Sequence, residues 1–112
     1  MRLHDILDAV RDERQNQDDE WGVQNHPSTG SSTPGQRVDD YGRLADCYKE
    51  VNTDLVKAGR LGWDTILLEE VYEALAEHDP QRRVDELIQV AAVALAEVDM
   101  LMRQDFGIEL PE

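Results

Sequence analysis

Two groups of acidic residues stand on either side of a short break in the sequence. They are Glu69, Glu70 and Glu73 before the break at Asp79-Pro80, and Asp85 and Glu86 after it. If both segments are helices that fold back at the break, Glu73 lies level with Glu86 and the carboxylates converge. Clustered carboxylates repel one another unless a cation joins them, and oxygen ligands suit Mg²⁺ or Mn²⁺.

The spacing is compatible with two interpretations. A divalent metal held by two or three carboxylates keeps free positions for phosphate oxygens and water, and it can lower the pKa of an attacking water. Acidic helical hairpins are also common as plain solvated surfaces, so spacing alone leaves both interpretations open. An oxidative di-iron site is disfavoured, because it needs Glu-x-x-His pairs and neither Glu73 nor Gln89 is a histidine.

The composition limits the partners of the chain. Its 112 residues include 25 Asp plus Glu against 11 Lys plus Arg, a net charge of -14. This balance argues against a basic surface for nucleic acid or anionic membrane, and a negatively charged substrate would need a metal to bridge it. The length predicts one domain over residues 1–112, too small to enclose a deep cleft without a second copy. The single cysteine, Cys47, excludes an intrachain disulfide and is expected to be a small buried residue.

Apolar periodicity predicts four helices and no strand. The helices are expected over about 2–20, about 38–55, a third segment that Asp64 would cap, and about 81–103 after Pro80. A Gly-, Ser- and Pro-rich stretch at about 25–35 predicts a mobile loop. The fold class is therefore an all-α bundle of about four helices.

The fourth predicted helix is apolar over more than half of its circumference. Its apolar positions include Val84, Leu87, Ile88 and Ala91. Such a helix is either the centre of a domain or half of a subunit interface. We therefore expect the bundle to be completed by self-association into a homo-oligomer. The charged N-terminal segment lacks the apolar core of a signal peptide, and the expected location is the cytoplasm.

Several segments together resemble the MazG-like all-α nucleoside triphosphate pyrophosphohydrolases. The similarity covers most of the chain and is carried by ERQNQDDEWG at 13–22, QNHP at 24–27, GRLGW at 59–63, LLEEVYEAL at 67–75 and RVDELIQVAAVAL at 83–95. The family hallmark is an E-x-x-E pair followed by an E-x-x-D pair on the next helix. Glu70 and Glu73 match the first pair, Glu86 matches the leading acid of the second, and Gln89 stands where the family has aspartate.

The resemblance implies Mg²⁺-dependent hydrolysis of a nucleoside triphosphate to a monophosphate and pyrophosphate, with Mn²⁺ able to substitute. It implies that Glu70, Glu73 and Glu86 are the metal ligands and catalytic residues. Gln89 would be a fourth ligand that offers one neutral oxygen and removes a negative charge from the site. Asp85 or Glu69 would compensate, or the site would bind fewer ions.

Candidate substrate contacts lie outside these motifs. An aromatic ring can stack on a base and an arginine can pair with phosphate oxygens, which makes candidates of Arg14, Gln17, Trp21, His26 and Arg103. Trp21 is equally compatible with a core anchor, and His26 with a plain loop residue. Two other functions stay open: a catalytically silent nucleotide- or protein-binding member of the same fold, and an acidic mimic of nucleic acid.

Overall fold

A computed structural model describes residues 3–30 and 33–104, which contain four α-helices and no strand. The helices are α1 (Leu3–Trp21), α2 (Pro34–Ala58), α3 (Trp63–Ala76) and α4 (Pro80–Gln104). The all-α prediction is confirmed. Within the described ranges, no helix is long and apolar enough to cross a membrane.

Proline and glycine residues set the helix boundaries near the site. Gly59 ends α2 in the left-handed region with φ 68°, and its amide bonds to the carbonyl of Val56 at 3.1 Å. The amide of Arg60 bonds to Leu55 at 2.9 Å, which completes a Schellman turn. Pro80 opens α4 as predicted. The predicted cap of α3 is wrong: Gly62 holds the cap position, and Asp64 lies inside the first turn, where its charge complements the helix dipole.

The helices α2 and α3 pack antiparallel through aromatic and small residues. The ring of Tyr72 on α3 stacks with Tyr41 and Tyr48 of α2, at centroid distances of 6.2 and 5.7 Å. Ala45 on α2 and Ala74 on α3 are buried. Small side chains bring the two backbones close, so polar groups on these helices are held in a fixed register.

The chain divides into two compact units. The first contains the described residues up to Pro27 and from Leu95 onward, with Ile6 as a buried residue. The second runs from Ser28 to Ala94 and contains α2, α3 and the first part of α4. The second unit also contains Glu69, Glu70, Glu73 and Glu86, so their site is described within that unit.

Part of the apolar side of α4 is exposed among the residues that the structure describes. Val84, Leu87 and Ile88 are 50%, 47% and 60% exposed, respectively. The expectation that Cys47 is buried is wrong, because its side chain is exposed. Ala45 and Tyr48 face α3, and Cys47 lies between them in the sequence on another side of α2.

Candidate metal and phosphate site

Three carboxylates on α3 form a cluster. Glu69, Glu70 and Glu73 are half-buried, and each contributes one oxygen to a group in which these atoms lie within 4.8 Å of one another. No salt bridge joins them to a basic side chain in the described part of the chain. Oxygens around an octahedral Mg²⁺ are about 3 to 4 Å apart, given bonds of about 2.1 Å. Small side-chain rotations would bring the three oxygens to that spacing, so the donor set fits a hard divalent cation.

The cluster strongly disfavours full ionisation. Partial burial raises the pKa of Glu73 to about 7, with further contributions from the charge of Glu70, a hydrogen bond with Glu69 and the charge of Glu86. Burial also raises the pKa of Glu70, followed by the charges of Glu86 and Glu69. Both shifts reflect negative charge that has lost solvent without gaining a positive partner.

Glu86 is the contribution of α4 to this negative field. The turn before α4 places it there: the carboxylate of Asp79 accepts the amide of Arg82 at 3.0 Å and thereby caps the helix. The guanidinium of Arg83 donates to the carbonyl of Ser28 at 3.0 Å, which ties the start of α4 to the segment before α2. Arg83 therefore has a structural partner. Glu86 acts on the pKa of both Glu70 and Glu73 but is not among the three oxygens within 4.8 Å.

A side chain from α2 holds one member of the cluster. The amide nitrogen of Asn52 donates to Oε1 of Glu69 at 2.8 Å and to the carbonyl of Thr65 at 3.0 Å. These contacts are partly buried, and Oδ1 of Asn52 and Oγ1 of Thr65 are buried without a partner in the described residues. Asn52 was not among the residues predicted from the sequence, because an isolated asparagine on a helix carries no motif.

An open pocket of about 370 Å³ adjoins the cluster. Glu73 belongs to both the cluster and the pocket wall. The other lining residues come from three helices: Gly42, Ala45, Asp46 and Lys49 from α2, Ala76 of α3 with Glu77 just after it, and Glu86 from α4. Lys49 is the basic residue of this wall and forms no salt bridge with any described residue. Lys49 was not predicted as a site residue either, since its position depends on how α2 packs on α3.

The other candidate residues occupy different places. Gln89 is exposed on α4. Glu69, predicted as part of the first acidic group and as a compensating acid, is a member of the α3 cluster. The five candidate substrate contacts belong to the first unit. Arg14 donates to Gln17 and Asp18 on its own helix, Arg103 pairs with Asp99, and Trp21 and His26 are exposed.

Comparisons with known proteins add no assignment: no family model, no curated protein and no solved structure matches the chain.

Proposed function

We propose that this chain is a Mg²⁺-dependent nucleoside triphosphate pyrophosphohydrolase of the MazG-like type. The observation that carries the proposal is the group of three carboxylate oxygens on α3, with Glu86 from α4 adding to its negative field. Raised pKa values at Glu70 and Glu73 show that the fold holds these groups together at an energetic cost, and a divalent cation would offset that cost. The resemblance of the motifs at 67–75 and 83–95 supplies the reaction type.

The proposed roles follow from the positions of the side chains. Glu69, Glu70 and Glu73 would hold the cation. Glu86, on α4, would orient the attacking water or a water bound to the cation. A bound Mg²⁺ would neutralise phosphate oxygens and lower the pKa of water. Gln89, exposed on α4, would not be required as a ligand, because Glu69 supplies the negative charge that the family pattern places at the position of Gln89.

Lys49 would bind the phosphate chain from the opposite wall of the pocket. It lines a cavity together with Glu73 and Glu86 and forms no salt bridge with a residue that the structure describes, so its ammonium group is available to a phosphate oxygen. A metal on the glutamate side and an ammonium group on the α2 side would together stabilise a departing pyrophosphate. We further propose that the exposed apolar side of α4 is covered in a homo-oligomer, and that the protein acts in the cytoplasm.

The test is a product assay with purified protein. A panel of nucleoside triphosphates with Mg²⁺ should yield monophosphate and pyrophosphate, and should yield neither diphosphate nor orthophosphate. Glu86→Gln should lower kcat at least a hundredfold with unchanged helix content by circular dichroism. Glu50→Gln, which removes the same charge at an exposed position of α2, should retain full activity.

A lack of turnover would have a defined meaning. If the panel is inert with Mg²⁺, Mn²⁺ and Co²⁺, and Gln89→Asp, which restores the family pattern, is equally inert, the enzyme proposal is wrong. Binding of triphosphate without turnover would then identify a silent nucleotide-binding protein. Release of orthophosphate would contradict the proposed position of cleavage.

A further inference from the structure

We propose that Asn52 is a positioning residue that fixes the carboxylate of Glu69 for the divalent cation. This inference rests on the proposed function in that it concerns the same site. Asn52 lies on α2, whereas Glu69 and Thr65 lie one turn apart on α3. The hydrogen bond of 2.8 Å from Nδ2 of Asn52 to Oε1 of Glu69 is therefore a link between two helices.

The surroundings determine the orientation of the Asn52 amide. Its two near neighbours are a backbone carbonyl at 3.0 Å and a carboxylate oxygen at 2.8 Å, and both are acceptors. The amide must present its NH₂ group to them, because a flipped amide would set three acceptor oxygens against one another. Both N–H bonds are thereby used. The donor toward Glu69 is held in place by the second donor toward Thr65.

The arrangement determines the direction of Glu69. With Oε1 bound to Asn52, the second carboxylate oxygen of Glu69 cannot rotate freely toward solvent. One oxygen of Glu69 lies within 4.8 Å of oxygens of Glu70 and Glu73, so fixing Glu69 limits the arrangement of the whole cluster. Side chains that orient metal ligands act in this way, and their loss typically weakens metal affinity or activity by about 10- to 100-fold.

A packing role alone does not account for Asn52. Its Oδ1 is buried without a partner in the described residues, as is Oγ1 of Thr65 beside it. An unpaired buried oxygen lowers the stability of the fold, so an apolar residue of similar size would serve the α2–α3 contact better. The amide is the part of Asn52 that reaches the acidic cluster, where its NH₂ group donates to Glu69.

The experiment measures metal affinity and stability separately. Mn²⁺ binding is titrated by calorimetry, without nucleotide, for the wild type, Asn52→Leu and Asn52→Ala. Asn52→Leu keeps the branched shape of the side chain and removes the unpaired oxygen, so its metal-free Tm should equal or exceed that of the wild type while its Kd for Mn²⁺ rises at least tenfold. Asn52→Ala should show the same loss of affinity at a lower Tm. Asn16→Leu, at an exposed site on α1, is the matched control and should bind as the wild type does.

A double variant tests the route through Glu69. If Asn52 acts by holding Glu69, Asn52→Leu combined with Glu69→Gln should bind Mn²⁺ no more weakly than Glu69→Gln alone. Additive losses would overturn the inference, as would an unchanged Kd in Asn52→Leu. Binding of Mn²⁺ by the wild type without any turnover would refute the enzyme proposal. The role of Asn52 would then still be decided by the Kd of Asn52→Leu for Mn²⁺. No binding by the wild type would overturn both.

Discussion

The substitution Glu73→Gln should change stability in opposite directions with and without metal. Glu73 has a pKa raised from 4.5 to about 7 in the folded protein, chiefly by burial. The folded state therefore binds more protons than the unfolded state between these values. The favourable contribution of protonated Glu73 is complete below pH 4.5 and is lost as the pH rises through about 7. At pH 8 without metal, ionised Glu73 should destabilise the fold, and glutamine should relieve that.

The size of the effect follows from the same shift. A rise in pKa from 4.5 to about 7 corresponds to at most about 3.4 kcal/mol, since one pKa unit is worth about 1.36 kcal/mol. Glu73 is partly exposed and solvent screens its charge, so we expect about 1 to 1.5 kcal/mol. At about 4 °C per kcal/mol for a domain of this size, Glu73→Gln should raise the metal-free Tm at pH 8 by about 4 to 6 °C.

The assay is thermal unfolding at pH 5 and pH 8, either with a chelator or with an excess of Mg²⁺ of about 10 mM, since a bound ligand stabilises the folded state. In chelator, the difference in Tm between the variant and the wild type should be small at pH 5, just above the unfolded pKa of 4.5, and large at pH 8. Mg²⁺ should stabilise the wild type at pH 8 and reverse the order, because the variant has lost a ligand. Glu50→Gln is the control for charge alone. A Tm difference that is equal at both pH values, or a wild type that does not respond to Mg²⁺, would refute the reasoning.

Two further predictions concern Lys49 and α4. Lys49→Met should raise KM for triphosphate about tenfold and leave Mn²⁺ affinity equal or higher, since a positive charge leaves the site. Lys57→Met, in the last turn of α2, should change neither value. Equal effects of the two substitutions would show that Lys49 is not part of the site. Ile88→Lys should shift the mass measured by light scattering toward the 12.8 kDa monomer, whereas Gln81→Lys, near the start of α4, should not. A monomeric wild type at all micromolar concentrations would contradict the oligomer proposal.

The helices and the acidic residues were predictable because both depend on local sequence. Apolar periodicity and the breaks at Gly59 and Pro80 place the helices within a few residues of their positions in the structure. The i, i+3 spacing of Glu70 and Glu73 fixes them on one face of α3, and the short turn at Asp79 brings Glu86 into their field.

The α2 side of the site was not predictable from spacing. Asn52 bonds to Glu69, and Lys49 lines a pocket with Glu73 and Glu86, because the stacking of Tyr72 with Tyr41 and Tyr48 fixes the register of α2 on α3. That register comes from the shapes of side chains distant in sequence, and no local pattern encodes it. The error at Asp64 is of another kind: α3 begins at Trp63, one residue before Asp64, so the acid falls inside the helix.

Gly42 destabilises α2 and leaves space in the pocket that it lines. A glycine inside a helix such as α2 costs about 1 kcal/mol relative to alanine. A methyl group at this position would meet only Ala76, at 3.9 Å, which is an ordinary contact, so packing against α3 does not require glycine here. Gly42 lines the pocket that contains Lys49 and Glu86. The width of that pocket can therefore be adjusted at one position without altering any charge. Gly42→Ala adds one methyl group, which narrows the pocket for its ligand and at the same time stabilises α2.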